Sequence, residues 1–140
     1  MKSLKTFTNP ISYEALELDK KILVVEDDDI SYSLIEEILD TCNIKPIRAK
    51  DGEEAVTLFK EFEDAFELVF MDIRLPKLNG YEASQQIKEI KPTVKIIAVT
   101  AYAHSQCIID CYNAGCDEFV TKPFDISKIL SVVETYASNK

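Results

Sequence analysis

Three segments of this chain run from apolar residues straight into ionisable ones. Lys21-Ile-Leu-Val-Val-Glu26-Asp27-Asp28 and Glu67-Leu-Val-Phe-Met-Asp72 end in carboxylates, and Asp117-Glu-Phe-Val-Thr-Lys122-Pro123 ends in an ammonium. Laid parallel in one sheet, such segments share an edge, and Glu26, Asp27 and Asp72 converge beside Lys122. Carboxylates that close repel one another strongly, so the cluster calls for a bound divalent cation and for chemistry on an anion. Each residue also has a plainer reading. A single aspartate after a strand caps a helix or sits in a loop, and a single lysine is a surface charge. The convergence is what carries the functional reading.

Periodicity gives the elements that must hold these residues. Short strands, most of them almost wholly apolar, are predicted near Lys21–Val25, Pro46–Ala49, Leu68–Met71, Lys95–Val99 and Glu118–Thr121, as suits parallel strands covered on both faces. Between them lie helical stripes: Ile30, Leu34, Ile38 and Leu39 on the first helix, and Ala55, Leu58, Phe59 and Phe62 on the second. Ala83, Ile87 and Ile90 mark the third, Ile108, Cys111 and Tyr112 the fourth, and Ile129, Val132, Val133 and Tyr136 the fifth. Asp51-Gly52 turns the chain into the second helix, Asp28 opens the first, and Gly115 ends the fourth with a left-handed residue. Strand then helix, repeated five times, makes an α/β domain with a parallel sheet and right-handed crossovers. The most hydrophobic strand candidates, the first, third and fourth, belong in the middle. The sheet order is then 2-1-3-4-5, with a ligand crevice beyond the ends of the first and third strands.

Composition bounds the rest. A chain of 140 residues has room for one core, read here as a domain over 20–140 preceded by a tail or linker over 1–19 with a short possible helix from Ser12 to Leu18. A formal net charge of -9 argues against nucleic acid, which needs a basic stripe. No apolar run approaches the roughly 18 residues of a membrane span, and no signal-peptide core is present. Membrane contact is therefore not expected, and a cytoplasmic location is. Cys42, Cys107, Cys111 and Cys116 form no C-x-x-C pair and read as free thiols. His104, Cys107 and Cys111 share a helical face, yet their spacing suits zinc poorly; buried packing is the reading for Cys111, and His104 reads as a solvated residue opening the fourth helix.

With these residues in place, the chain resembles the receiver domain of two-component response regulators and hybrid histidine kinases. The likeness rests on Leu-Val-Val-Glu26-Asp27, Met-Asp72-Ile-Arg-Leu-Pro76-Lys-Leu-Asn-Gly80, Val-Thr100-Ala101-Tyr102, Ala114-Gly115 and Lys122-Pro123-Phe124, in order and rightly separated. It implies a flavodoxin-like, doubly wound (βα)5 sandwich with Asp72 as phosphoacceptor. It further implies Mg2+ (or Mn2+) held by Glu26, Asp27, Asp72 and the main-chain carbonyl of Arg74, with Asp27 and Asp72 binding directly. Thr100 is then the switch hydroxyl, Phe119 the switch aromatic, Lys122 the phosphate-binding cation, and Pro123 follows a cis bond. Arg74 and Tyr102 sit at the mouth and modulate water's access, Arg74 either pairing with the phosphoryl group or standing in solvent. Glu26 stands where Asp is commoner, and its longer arm reaches metal through water.

The implied partners are a histidine kinase or a histidine phosphotransfer protein, with a phosphorylation-dependent dimer through the fourth and fifth helices as a further possibility. The implied setting is a hybrid sensor histidine kinase, for which Thr100-Ala-Tyr-Ala103 and the leading tail argue; the alternative is a free-standing single-domain regulator. The isolated domain is not expected to be an enzyme beyond catalysing its own phosphorylation and dephosphorylation, though the parent chain could be a kinase. An aspartyl-nucleophile phosphatase wants a second acid where Arg74 stands, and a non-phosphorylated pseudo-receiver fits poorly with an intact site.

Overall fold

Apolar segments pair, polar ones cover, and the result is a computed structural model describing residues 21–75 and 77–136. The tail with its possible helix over 12–18, Pro76 and residues 137–140 lie outside the described residues. The strands are β1 (Lys21–Val25), β2 (Ile47–Ala49), β3 (Phe66–Asp72), β4 (Lys95–Thr100) and β5 (Glu118–Thr121). They alternate with α1 (Asp29–Asp40), α2 (Gly52–Glu61), α3 (Gly80–Ile90), α4 (Ser105–Asn113) and α5 (Ile126–Tyr136). All pairings are parallel and the order is β2-β1-β3-β4-β5, a flavodoxin-like fold. β3 extends past the predicted Leu68–Met71 at both ends, because Phe66 is fully buried and Asp72 still pairs with Val99 of β4.

The period-2 alternation of the strands divides the interior into two cores. Leu23, Val25, Val69, Met71, Ile96 and Ala98 meet residues of α2, α3 and α4 on one face. Ile22, Val24, Leu68, Phe70, Ile97 and Val99 meet Ile35, Ile38 and Leu39 of α1 and Ile129, Val132 and Val133 of α5 on the other. The parity of β4 puts Thr100 on the same face as Ile96 and Ala98, towards α4.

Two helical stripes differ from the prediction. In α1, Ile30 is 73% exposed and Leu34 47%, while Ile35 is buried in their place. Its first turn starts at the carboxyl edge of the sheet, where little apolar surface awaits it, and the helix turns Ile35 inward instead. In α4, Cys107 and Cys111 face the core, whereas Tyr112 is exposed and Ile108 half-buried. A helix lying close to β4 and β5 presents its small side chains inward, and the thiols are smaller than Ile or Tyr.

The helix ends nearest the site are fixed by caps. Asp28 Oδ2 accepts from the Ser31 amide (2.8 Å), Asp51 from that of Glu54 (2.8 Å), Asn79 from that of Glu82 (3.0 Å), and His104 Nδ1 from that of Cys107 (3.3 Å). Gly115, at φ 102°, closes α4 with its own amide bonded to the Tyr112 carbonyl and that of Cys116 to the Cys111 carbonyl, a Schellman ending. The Lys122-Pro123 bond is cis.

Gly80 ties the fold to the strand end that carries Asp72. Its amide donates to the Ile73 carbonyl (3.1 Å), and a Cβ there would run into the Asp72 carbonyl oxygen and lie 2.6 Å from Ile73 Cα. Both obstacles are backbone and neither can swing aside. Gly80→Ala is therefore expected to lower stability in urea unfolding by about 1–3 kcal/mol, the usual range for overpacking. A midpoint equal to wild type would show that the β3–α3 connection yields freely.

Candidate functional site

Each strand feeding the site is held one residue beyond its formal end. The Glu26 amide donates to the Ala49 carbonyl (2.9 Å), Ile73 to Val99 (3.1 Å) and Lys122 to Thr100 (2.9 Å). The loops therefore start from fixed points. Carboxylate oxygens of Glu26, Asp27 and Asp72 all lie within 4.8 Å of one another, with Glu26 and Asp72 buried and Asp27 exposed. Lys122 Nζ stands 3.1 Å from Glu26 Oε1 and 3.4 Å from Asp72 Oδ2. Asp72 Oδ1 accepts from the Arg74 amide (3.0 Å), and Glu26 Oε2 from that of Asp28 (3.2 Å).

The electrostatics follow from crowding. Burial, then the neighbouring Asp72 carboxylate, pushes the Glu26 carboxyl up from its ordinary 4.5 to about 7. Burial works to lower Lys122, but Asp72 and Glu26 outweigh it and hold the ammonium above its ordinary range. One lysine thus answers three acids. Glu26 Oε1 is buried and, although ion-paired, has no hydrogen bond. A buried carboxyl oxygen without a hydrogen bond, among oxygen-only donors, suits a hard divalent cation.

Other predicted residues gather nearby. Thr100 is buried, and its Oγ1 accepts from the Tyr102 amide (3.0 Å). The Arg74 guanidinium stacks over the Tyr102 ring, 4.3 Å from its centroid, so the two residues at the mouth meet each other. They border a cavity of about 750 Å3 also lined by Asp27, Asn79, Thr100 and Cys107. Phe119 is half-buried against the α4-side core and pairs in register with Ala98 of β4. His104 spends Nδ1 on capping, and burial raises the Cys111 thiol to about 12; among the described residues only Glu26, Asp27 and Asp72 group as potential metal ligands.

Sequence reasoning missed two neighbours. Arg48 of β2 donates from Nε (3.1 Å) and Nη2 (3.0 Å) to the Glu26 carbonyl, pairs with Asp29 (2.9 Å) and stacks on Tyr32, which fixes the acidic loop. An arginine inside a three-residue strand, Ile-Arg-Ala, was the available signal. Cys107 touches Thr100; its spacing put it on one helical face with His104 and Cys111 but did not mark the threonine as its neighbour.

Fold and site together define a parallel α/β domain with a cation-suited acidic cluster at its topological switch point. The family model for the response regulator receiver domain matches residues 22–134, and the chain belongs to that family, a receiver domain of two-component signalling. Chemotaxis protein CheY of Thermotoga maritima is 30% identical over 117 residues, covering 83% of this chain and 96% of that protein. Hybrid signal transduction histidine kinase L of Dictyostelium discoideum is 29% identical over 125 residues, 85% of this chain but 7% of that protein. The receiver domain of a sensor histidine kinase from Pseudomonas aeruginosa, solved with magnesium in its active-site cleft, superposes with a TM-score of 0.78 at 28% identity, covering 86% and 99% of the two chains. The Saccharomyces cerevisiae Ssk1 receiver, solved with the phosphotransfer protein Ypd1, gives 0.78 at 28% identity over 85% and 89%. Among the described residues no helix is long and apolar enough to cross a membrane.

The raised Glu26 pKa has a signed consequence. Between about 4.5 and 7 the folded chain holds a proton that the unfolded chain has lost, so metal-free stability falls as pH rises through that window. Glu26→Gln removes the proton and flattens the profile. In chelator, urea unfolding of wild type is expected to lose about 1–3 kcal/mol between its acidic and neutral limits beyond any loss in Glu26→Gln. Parallel profiles for the two proteins would contradict the crowding.

Proposed function

We propose that Asp72 accepts a phosphoryl group from a partner's phosphohistidine, with Mg2+ (or Mn2+ in its place) held by Glu26, Asp27, Asp72 and the Arg74 main-chain carbonyl. The observation that carries this reading is the meeting of three carboxylates with one ammonium at the ends of β1, β3 and β5. An Asp72 oxygen attacks phosphorus, and the phosphorus–nitrogen bond breaks with its electron pair going to the donor imidazole. When bound, the cation offsets the repulsion between the carboxylate and the phosphoryl oxygens and holds them in line. Lys122 stabilises the oxygens on which charge accumulates, and the Arg74 amide orients Asp72 through Oδ1.

The acyl phosphate adds charge close to -2 at the sheet edge. Thr100 moves its hydroxyl to a phosphoryl oxygen, Phe119 turns inward, and the α4–β5–α5 surface changes shape as one packing is selected over another. Phe119 carries no hydroxyl, so an inward position leaves nothing unsatisfied. Ile30 and Leu34 of α1 and Ile126 of α5 are exposed just past Glu26 and Lys122, which suits docking of a histidine kinase or phosphotransfer protein. Exposed Ile109 and Tyr112 on α4 suit a phosphorylation-dependent dimer through α4 and α5. The net charge of -9 speaks against nucleic acid, and the four free thiols accord with the cytoplasm.

The domain catalyses its own phosphorylation and dephosphorylation, and we read its setting, with residues 1–19 as linker to the domain over 20–140, as a hybrid sensor kinase. The near-complete coverage of CheY favours a free-standing regulator as the second reading. Arg74 occupies the place a phosphatase's second acid would need.

Incubation with acetyl phosphate and Mg2+ should add the mass of one phosphoryl group to wild type and none to Asp72→Asn, with chelator abolishing the gain. Phosphorylation of Asp72→Asn at wild-type level would remove Asp72 from its role. Tyr102, stacked beneath Arg74 at the mouth, shields the acyl phosphate from water. Once the donor is removed, Tyr102→Ala should lose phosphate several-fold faster than wild type; unchanged or slower loss contradicts the shield.

A further inference from the structure

The α4 face of the site holds a contact that the phosphoryl chemistry does not use. Thr100 Oγ1 lies 3.7 Å from Cys107 Sγ, and both residues are buried. The same sulfur lies 3.5 Å from Tyr81 Oη. Sulfur hydrogen bonds run longer than those of oxygen, so these distances are contacts and not gaps. A buried hydroxyl needs partners, and in this structure Thr100 has two: the Tyr102 amide, which donates to it, and the Cys107 thiol. Neither contact points it at Asp72. Cys107 itself is anchored, one turn into α4, on a backbone amide that donates to His104.

We propose that Cys107 is a positioning residue that latches Thr100 in its resting position and so sets how readily the switch turns. The latch rests on the reading of Thr100 as the switch hydroxyl. A thiol is a weak hydrogen-bond partner, strong enough to satisfy the hydroxyl and weak enough to yield to phosphoryl oxygen. Tyr81, reaching from α3, steadies the sulfur from its other side. The three groups form a relay from α3 through α4 to the end of β4. Cys107 also belongs to the core against which Phe119 packs, so release of Thr100 frees α4 and the aromatic residue together.

The position of Thr100 reports the latch directly. Its amide and methyl resonances are recorded in wild type without ligand and with Mg2+ and beryllium fluoride, a phosphoryl mimic, to define two endpoints. In Cys107→Ala without ligand, the Thr100 resonances are expected to move along the line joining those endpoints, reporting an active-to-resting ratio raised about 2- to 10-fold, the range for one net hydrogen bond. Cys107→Ser, which keeps a donor and acceptor, returns them towards wild type. Cys116→Ala, a buried thiol of the same core bonded to Ser84 instead (3.6 Å), controls for lost packing and leaves them in place. Tyr81→Phe, which removes only the hydroxyl, shifts them in the direction of Cys107→Ala and keeps the proposal testable should that variant unfold.

Thr100 resonances at the wild-type position in both Cys107→Ala and Tyr81→Phe would overturn the latch while leaving the phosphoacceptor reading intact. Equal movement in Cys116→Ala would reduce it to packing. A wild type that takes neither phosphoryl group nor beryllium fluoride overturns the receiver chemistry itself, and the latch with it.

Discussion

Repulsion among Glu26, Asp27 and Asp72 at one sheet edge is the constraint on which this molecule turns. Two of the three carboxylates are buried, and a single ammonium stands among them. Left alone, such a cluster would splay apart or protonate. It cannot splay, because the ends of β1, β3 and β5 are pinned by backbone bonds beyond their last paired residues, and so Glu26 holds its proton towards neutral pH. The fold keeps an unfavourable electrostatic arrangement in place, and that arrangement favours a cation. Stability surrendered at the edge is regained in the two cores, whose buried side chains are almost all apolar.

The support for the cluster comes from residues that do no chemistry. Arg48 clamps the Glu26 carbonyl while stacking on Tyr32, so the β1–α1 turn cannot swing outward under repulsion. Gly80 lets α3 begin against the Asp72 and Ile73 backbone, a closeness that any side chain would forbid. The caps on α1 to α4 satisfy amides at the same edge, so that Glu26 and Asp72 each answer only one backbone amide, those of Asp28 and Arg74. Positioning here is spread over strand ladders, caps and one guanidinium, each of ordinary strength.

How legible this was in the sequence varies with the physics. Strands buried on both faces announce themselves as apolar runs, so the sheet and its order were readable, as were Asp28, Asp51 and Gly115 at helix ends, where backbone chemistry admits few residues. The convergence of Glu26, Asp27, Asp72 and Lys122 was readable because parallel strands send their ends to one edge. The inward faces of α1 and α4 were not. A period of 3.6 accommodates Ile30 and Leu34 or Ile35 equally well, and only docking against the sheet decides between them. The meeting of Cys107 with Tyr81 was hidden for a related reason: α3 and α4 bring them together on one face of the sheet, and no spacing along the chain encodes that contact.

The two faces of the sheet differ in what they can do with an event at its edge. Val99 and Ile97 point towards α1 and α5 into a core of branched aliphatic and aromatic side chains, which packs as a solid and resists displacement. Thr100 points the other way, where Cys107, Cys111, Ala98 and Cys116 form the small-residue corner, beside a cavity, of a core that elsewhere holds Phe59, Phe66 and Ile87. A hydroxyl that changes partner can be followed by neighbours on that side and by few on the other. On the proposed reading, α1 presents a constant surface to a phosphodonor, while α4, on the face of Thr100, leads the response. The separation is written in the parity of one strand: moving β4 by a single residue would send Thr100 into the stiff core and leave the charge with nothing to move.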